Sequence, residues 1–362
     1  MKYLNYINPE YIDQITVKRH NELRLGEGLE LITDEQQLKI TKARYLIIGI
    51  PEDLGVRANG GRPGAAKTWD SFLGHFCSLA LAQNSPVDRI AILGSIRCQD
   101  LLDEGKTLNW QKPQDQATFN ELITALDHRV ATVIQPLIGA GFIPVVIGGG
   151  HNNALGLLKA SSKALKQPIN CLNIDAHTDL RNDDYRHSGN GFQRAFLEKY
   201  LSKYNIFGLH QYTLSPGITE FIQTINQERQ EGHSEHERSR GDNSQNPGNG
   251  QKIQANKIDC LSLEQWLDTP VIQRHELFQQ WVEPLFENHF GLEIDLDVIS
   301  DMGSSAQSPV GLSVQEVRNL ARNIAGHQNL RYIHLCEGAP ELGLYPSQVV
   351  KTLSALCLDL MV

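Results

Sequence analysis

Short apolar runs recur along the chain, each leading into a polar, often glycine-rich turn and then into a longer amphipathic stretch. The runs fall at 45–50, 89–94, 142–147, 169–172, 204–209, 257–261, 290–297 and 331–337. Near-continuous apolarity over so few residues is the pattern of strands buried on both faces. Between them the period lengthens. Leu122, Leu126, Val130, Val133 and Leu137 recur every three or four residues, which predicts a helix over 117–139. Helices are also expected over 65–83, 154–166, 193–203, 215–227, 262–288, 313–326 and 345–360. About eight strands separated mostly by helices predict an α/β fold with a mainly parallel sheet covered on both faces. Residues 1–40 are weakly patterned and read as an N-terminal arm packed on the domain. Residues 228–252 are almost wholly polar and aperiodic, too poor in apolar surface to offset their ordering entropy, and read as a flexible surface insertion. His233 and His236 within it read as solvated. No second core pattern or repeat is present, so residues 1–362 are taken as one domain.

In open α/β sheets ligands bind outside the carboxyl ends of the strands. The polar residues with chemistry lie there. A strand through 169–172, if continued, places Asp175, His177 and Asp179 on one face. Two carboxylates and an imidazole converging there suit a divalent cation; the plainer alternative is a polar strand end with a hydrogen-bonded histidine. Three more strand ends contribute. His151 follows Gly148-Gly149-Gly150, Asp295 and Asp297 close the 290–297 run, and Glu337 closes the last. The four aspartate charges match two divalent cations, with His151 and His177 completing the donor set. Oxygen-rich ligation with some imidazole favours Mn²⁺, with Fe²⁺, Co²⁺ and Zn²⁺ as alternatives. A pair of such ions acidifies a shared water toward neutral pH and suits hydrolysis at carbon or phosphorus. The glycines of the 51–64 loop allow tight turns, but the phosphate-binding lysine pattern is absent, so this is read as a rim loop.

Composition narrows the partners. The 362 residues are 40% hydrophobic with a formal charge of −9, and no basic stripe with interleaved aromatics argues for nucleic acid. No run of about 18 apolar residues predicts a membrane span. The first residues lack the apolar core of a signal peptide, and the six cysteines form no CxxC pair, so a cytoplasmic location is expected.

Gly148-Gly149-Gly150-His151, Asp175-Ala176-His177-Thr178-Asp179 and Asp295-Leu296-Asp297, in that order, resemble the ureohydrolase family of arginase, agmatinase and formimidoylglutamase. The resemblance runs from about residue 45 to the C-terminus, and Asn59 to Ala65 resembles the family's first loop. It implies a three-layer α/β/α sandwich and a dinuclear manganese centre on His151, Asp175, His177, Asp179, Asp295 and Asp297, with Asp175 and Asp297 among the bridges. It makes His187 the group that carries a proton to the leaving amine and Glu337 the group that holds the cationic amidine. Some positions depart from the family pattern. Gly150 stands where an acid usually precedes the ligand histidine, and Asp301 is displaced by one with no proline after it. Gly208-Leu209 continues His210-Gln211 in place of the arginase Arg-Asp, which argues against arginine as substrate. The Ser304 to Pro309 loop and His187-Ser188-Gly189-Asn190-Gly191 look closer to the formimidoylglutamase branch, with Asn190 among the substrate-binding residues. The expected reaction is hydrolysis of formimidoylglutamate to glutamate and formamide, with agmatine or another guanidino compound as the second choice and a non-catalytic metal-binding homologue as the third. An anionic substrate tail needs cations, and Arg62, Arg181, Arg186 and Arg194 are the candidates. Self-association into a homo-oligomer is left open.

Overall fold

A computed structural model describes residues 1–83, 85–238, 257–345 and 347–362. Its centre is a ten-stranded sheet. The strands are β1 (Leu4–Tyr6), β2 (Glu30–Leu31), β3 (Tyr45–Gly49), β4 (Ile90–Ile96), β5 (Ile143–Ile147), β6 (Ile169–Ile174), β7 (Leu201–Leu209), β8 (Ile258–Ser262), β9 (Phe290–Asp295) and β10 (Leu330–Cys336). Their order is β1-β4-β3-β5-β10-β9-β6-β7-β8, with β2 also paired to β4. All pairs are parallel except β1 with β4. Helices cover both faces and bury two apolar clusters, one on each side. The sheet is therefore the middle layer of a three-layer α/β/α sandwich, as expected.

The eight expected runs are β3 to β10. The two further strands come from residues 1–40, which lie along the outer edge of β4 and close the unpaired backbone groups an edge strand leaves. Other differences have local causes. The expected helix over 262–288 is two helices, Leu263–Asp268 and Val271–Phe286, because Pro270 cannot continue the first. The rim loop contains a short helix, Leu54–Ala58, and a helix not foreseen spans Gln99–Gly105. The helix expected over 215–227 runs on to Arg238, into the stretch read as insertion, and 239–252 of that stretch lies outside the described residues. No helix among the described residues is long and apolar enough to cross a membrane.

One close approach ties sheet to site. Gly291 on β9 pairs with Tyr332 on β10, and a Cβ at Gly291 would lie 2.1 Å from the tyrosine ring. The ring fills the space that glycine leaves, and its hydroxyl donates to the buried Glu293 carboxylate at 2.8 Å. Gly291→Ala should therefore overpack the core and lower stability by about 1–3 kcal/mol. Gly74→Ala, in a helix with nothing within 4 Å of the new Cβ, should be neutral or stabilising. Urea midpoints of the two variants check this; equal midpoints would show that the sheet yields to the extra methyl.

Candidate active site

Four neighbouring strands, β5, β10, β9 and β6, deliver the site at their carboxyl ends. After β5 the chain turns through Gly148 and Gly149, both at positive φ (83° and 78°), and places His151 in a single helical turn with Asn152 and Asn153. The buried carboxylate of Glu52 holds this loop. It accepts from the Gly150 N–H at 2.9 Å, from Asn153 Nδ2 at 2.5 Å and, at the start of the next turn, from the Leu54 N–H at 2.7 Å. Burial raises the Glu52 pKa, and these donors only partly oppose it. Glu52 follows β3 by three residues and stood unremarked in the sequence; its adjacency to a strand end was the available signal.

The aspartate triplet is placed by a loop and not by strand alternation. β6 ends at Ile174, and Asp179 lies at φ 50° in the left-handed region. Asp175 bends the chain by accepting from the His177 N–H at 2.7 Å, and Asp295 does the same with the Asp297 N–H at 2.8 Å. Glu337, at φ 59°, is the second acid of the group in the left-handed region; Asp301 shares that conformation at φ 58°. Strain of this kind is retained where surrounding structure enforces it, commonly at functional sites. Asp301 is an exposed turn residue whose N–H bonds Ser308, and it joins no ligand cluster.

Three groups of potential donors result. His151, Asp175 and Asp295 form one and Asp175, His177 and Asp297 a second, so Asp175 belongs to both; the third, His151, Glu293 and Cys336, lies at the other nitrogen of the His151 ring. His151 Nδ1 lies 2.9 Å from Asp179, 3.2 Å from Asp175 and 3.3 Å from Asp295. His177 Nδ1 lies 3.0 Å from Asp297 and 3.6 Å from Asp175. Yet His151 Nδ1 and Asp297 Oδ1, both buried, make no hydrogen bond. Lone pairs converge without donors between them, which is the arrangement a cation satisfies. The electrostatics agree. Burial, with the charges of Asp297 and Asp175, pushes Asp295 well above the carboxylate range. The Asp297 charge drives His177 far up, so that imidazole protons supply the positive charge the carboxylates need. Asp175 stays low: burial opposes its ionisation, but the neighbouring His151 and His177 imidazoles outweigh it. Oxygen donors with two imidazoles fit a hard divalent ion that also accepts nitrogen, such as Mn²⁺.

Above this floor is a cavity of about 220 Å³. His177, Asp179, Asp295, Asp297 and Glu337 reach it, while His151 and Asp175 lie beneath. Glu337 is fixed by the His151 N–H at 2.8 Å and by Ser305 Oγ at 2.9 Å. Burial, reinforced by the Asp297 charge, pushes its pKa up to about 8 despite these donors.

Of the four candidate arginines, Arg181 alone lines the cavity. Its Nη1 donates to Asn59 and its Nε lies 3.2 Å from Asp183. Arg62 spends its donors on the Ser304 and Ser305 carbonyls, at 3.0 and 3.3 Å, and so clamps the loop that carries Ser305. Arg194 donates to the Asp183 carbonyl at 2.8 Å. Arg186 is buried and grips Asp127 through Nε at 3.0 Å and Nη2 at 3.2 Å. It also donates to the Asn152 carbonyl, the His187 carbonyl and Asn190 Oδ1. Arg186 and Asn190 are thus structural partners of each other, joining the turn after His151 to the His187 turn. His187 itself is buried behind the Ser188–Gly189 wall: Nδ1 accepts from the Gly189 N–H at 3.1 Å and Nε2 bonds Asp183 at 2.8 Å.

A family model described as the arginase family matches residues 43–361. The chain belongs to the arginase family. Within it, the chain is 32% identical over 211 residues to a Rhodococcus jostii protein named formimidoylglutamase, a match covering 56% of this chain and 58% of that one. A Macrococcus caseolyticus formimidoylglutamase is 25% identical over 300 residues, covering 82% of this chain and 77% of that one. Against several such relatives the chain spans about half their length. The arginase fold itself is matched by the crystal structure of formimidoylglutamase from Bacillus subtilis, with TM-score 0.69, 14% identity and coverage of 96% and 93%. It is matched too by a Trypanosoma cruzi formiminoglutamase variant solved with Mn²⁺, with TM-score 0.65, 20% identity and coverage of 94% and 99%.

The His187 environment has a consequence for stability. Burial lowers its pKa to about 4, against the pull of Asp183. The unfolded chain binds this proton near pH 6.5 and the folded chain only near 4, so its contribution is complete above pH 6.5 and is lost as pH falls through that window. The loss amounts to about 3 kcal/mol. Denaturation of the metal-free protein between pH 7 and 4 should show a steeper decline for wild type than for His187→Gln; parallel curves would refute the burial of a neutral ring.

Proposed function

We propose that this chain is a dinuclear-manganese hydrolase that cleaves the C–N bond of a linear amidine, and that its substrate is formimidoylglutamate. The observation that carries the reading is the pair of donor sets sharing Asp175 beneath a cavity walled by Glu337 and Arg181. His151, Asp175, Asp179 and Asp295 would hold one cation, and Asp175, His177 and Asp297 the other. When bound, the two ions supply Lewis acidity and an acidified water.

The chain's own groups account for the rest. Glu337 is held by two donors and faces the cavity, so an amidinium beside it is met by a carboxylate of fixed orientation. The cation also restores the charge that burial withholds from Glu337. Arg181, half-exposed at the rim, supplies positive charge for a carboxylate tail, and Asn59 orients it. A cationic tail such as agmatine's would meet repulsion there. Water adds to the amidine carbon, and the bond to the glutamate nitrogen breaks. That nitrogen takes a proton and leaves as the amine, while the carbon leaves as formamide. His187 is the proton carrier in this reading. Its ring must first exchange its bond to Asp183 for one to the departing nitrogen.

Mn²⁺ analysis and a substrate panel test the proposal. Two ions per chain and a preference for formimidoylglutamate over agmatine are expected. Arg181→Ala should raise KM for formimidoylglutamate roughly 10- to 150-fold, the equivalent of a charge-assisted hydrogen bond, without harming turnover of agmatine. Glu337→Gln should raise KM and lower kcat together, and His187→Ala should keep both ions and lower kcat by about 10²-fold. Agmatine as the better substrate, or an indifferent Arg181, would overturn the substrate assignment.

A further inference from the structure

Behind His151, on the side away from the cavity, stands an acid that the ligand set does not use. Glu293 lies on β9 two residues before Asp295 and is fully buried. Its Oε1 accepts from the Tyr332 hydroxyl at 2.8 Å, and its Oε2 is 2.5 Å from His334 Nδ1. The other nitrogen of His334 reaches the Gly148 carbonyl at 3.2 Å, in the turn that leads to His151. The next neighbour of Glu293 Oε2 is His151 Nε2 at 3.6 Å, longer than a full hydrogen bond. That nitrogen is buried and has no hydrogen-bond partner.

A neutral imidazole carries one proton, and the nitrogen without it is the ligand. His151 turns Nδ1 toward Asp175, Asp179 and Asp295. The proton must then sit on Nε2, in a fully buried position where an unmatched donor is costly. Glu293 is the acceptor placed to receive it. We propose that Glu293 is a positioning residue for one of the two cations. It holds the Nε2 proton of His151 and so keeps the Nδ1 lone pair toward the Asp175, Asp179 and Asp295 oxygens. Tyr332 and His334 in turn hold Glu293. A carboxylate behind a ligand histidine raises the basicity of the ligating nitrogen and fixes the ring. The inference rests on the two-cation reading above and goes beyond it in one respect: it separates the two sets. Among the described residues only the His151 set has this support: His177 also has its Nδ1 beside an aspartate, Asp297, but its ring lies at the cavity wall with no such acid behind it.

The test is a Mn²⁺ titration of wild type and Glu293→Gln, followed by calorimetry and by electron paramagnetic resonance. The amide keeps the shape but offers one acceptor oxygen in place of two and turns N–H groups toward the neighbouring rings. In Glu293→Gln one ion should bind about 10- to 100-fold more weakly. The other should keep its wild-type affinity, and the spin-coupled pair signal should give way to an isolated-ion signal at limiting Mn²⁺. Tyr332→Phe, which removes one support of Glu293, should produce the same site-selective loss in smaller measure, and it carries the test if Glu293→Gln does not fold. Unchanged affinity for both ions, or equal weakening of both, overturns the positioning role while leaving the dinuclear reading intact. A wild-type chain that takes up fewer than two ions overturns both.

Discussion

Like charges forced together in a dry place are the constraint around which this molecule is arranged. Asp175, Asp295 and Asp297 are buried at the ends of adjacent strands, with Asp179 beside them. Ionised carboxylates at such separations repel strongly in a medium of low polarisability. Nothing in the apolar layers above and below the sheet relieves that repulsion. Relief comes from groups that enter the cluster itself. In the absence of cations these are the imidazoles of His151 and His177, each within 3.3 Å of at least one carboxylate oxygen. Divalent ions would do the same with twice the charge each and would free those rings from carrying protons.

The rest of the site is scaffolding that stops the cluster from relaxing. Backbone at positive φ holds Asp179 and Glu337, and a carboxylate on the adjoining loop, Glu52, fastens the glycine turn before His151. The Arg186–Asp127 pair does the longer-range work. It is anchored inside the helix Pro113–Gly139 and reaches both the Asn152 carbonyl and the His187 turn. Removing one member of a buried pair leaves an uncompensated charge and costs about 3–5 kcal/mol. A guanidinium committed in this way cannot also be offered to a substrate. Arg62 and Arg194 are spent on backbone carbonyls for the same structural ends. The sequence cannot distinguish these arginines from Arg181, since all four sit in polar stretches near strand ends; only the distribution of acceptors in space does so.

The sheet was legible because buried parallel strands leave a local signature, and each of β3 to β10 carries one. β1 and β2 were not, being too short to show a period, and they exist only because β4 offers an edge. The ligand residues were legible for a related reason: a strand end in a parallel sheet is where polar residues collect. How they converge was not legible. Alternation along a strand was the expected device for Asp175, His177 and Asp179, but the strand stops at Ile174 and a turn closed by Asp175 on the His177 N–H does the work. Glu52 and Glu293 carry no such signal, because each is an acid in or beside an apolar run with no motif around it. Their importance lies in what they face: the loop of Gly150 in one case, the back of His151 in the other.

Burial treats His187 and Glu337 alike and leaves them differently poised. It favours the uncharged form of each, lowering His187 to about 4 and raising Glu337 to about 8. His187 is then satisfied, with one ring nitrogen on the Gly189 N–H and the other on Asp183. Glu337 is not. Its donors, the His151 N–H and the Ser305 hydroxyl, suit a carboxylate, while the surrounding acids make the carboxylate expensive. A cation placed in the cavity settles that conflict in favour of ionisation, and the nearer it lies to Glu337 the more it gains. A neutral molecule of the same shape gains nothing. In the proposed reading Glu337 therefore meets the amidinium head, and Arg181 at the rim adds the opposite preference for the tail. Two charges of opposite sign at the ends of one small cavity select a molecule that is cationic at one end and anionic at the other.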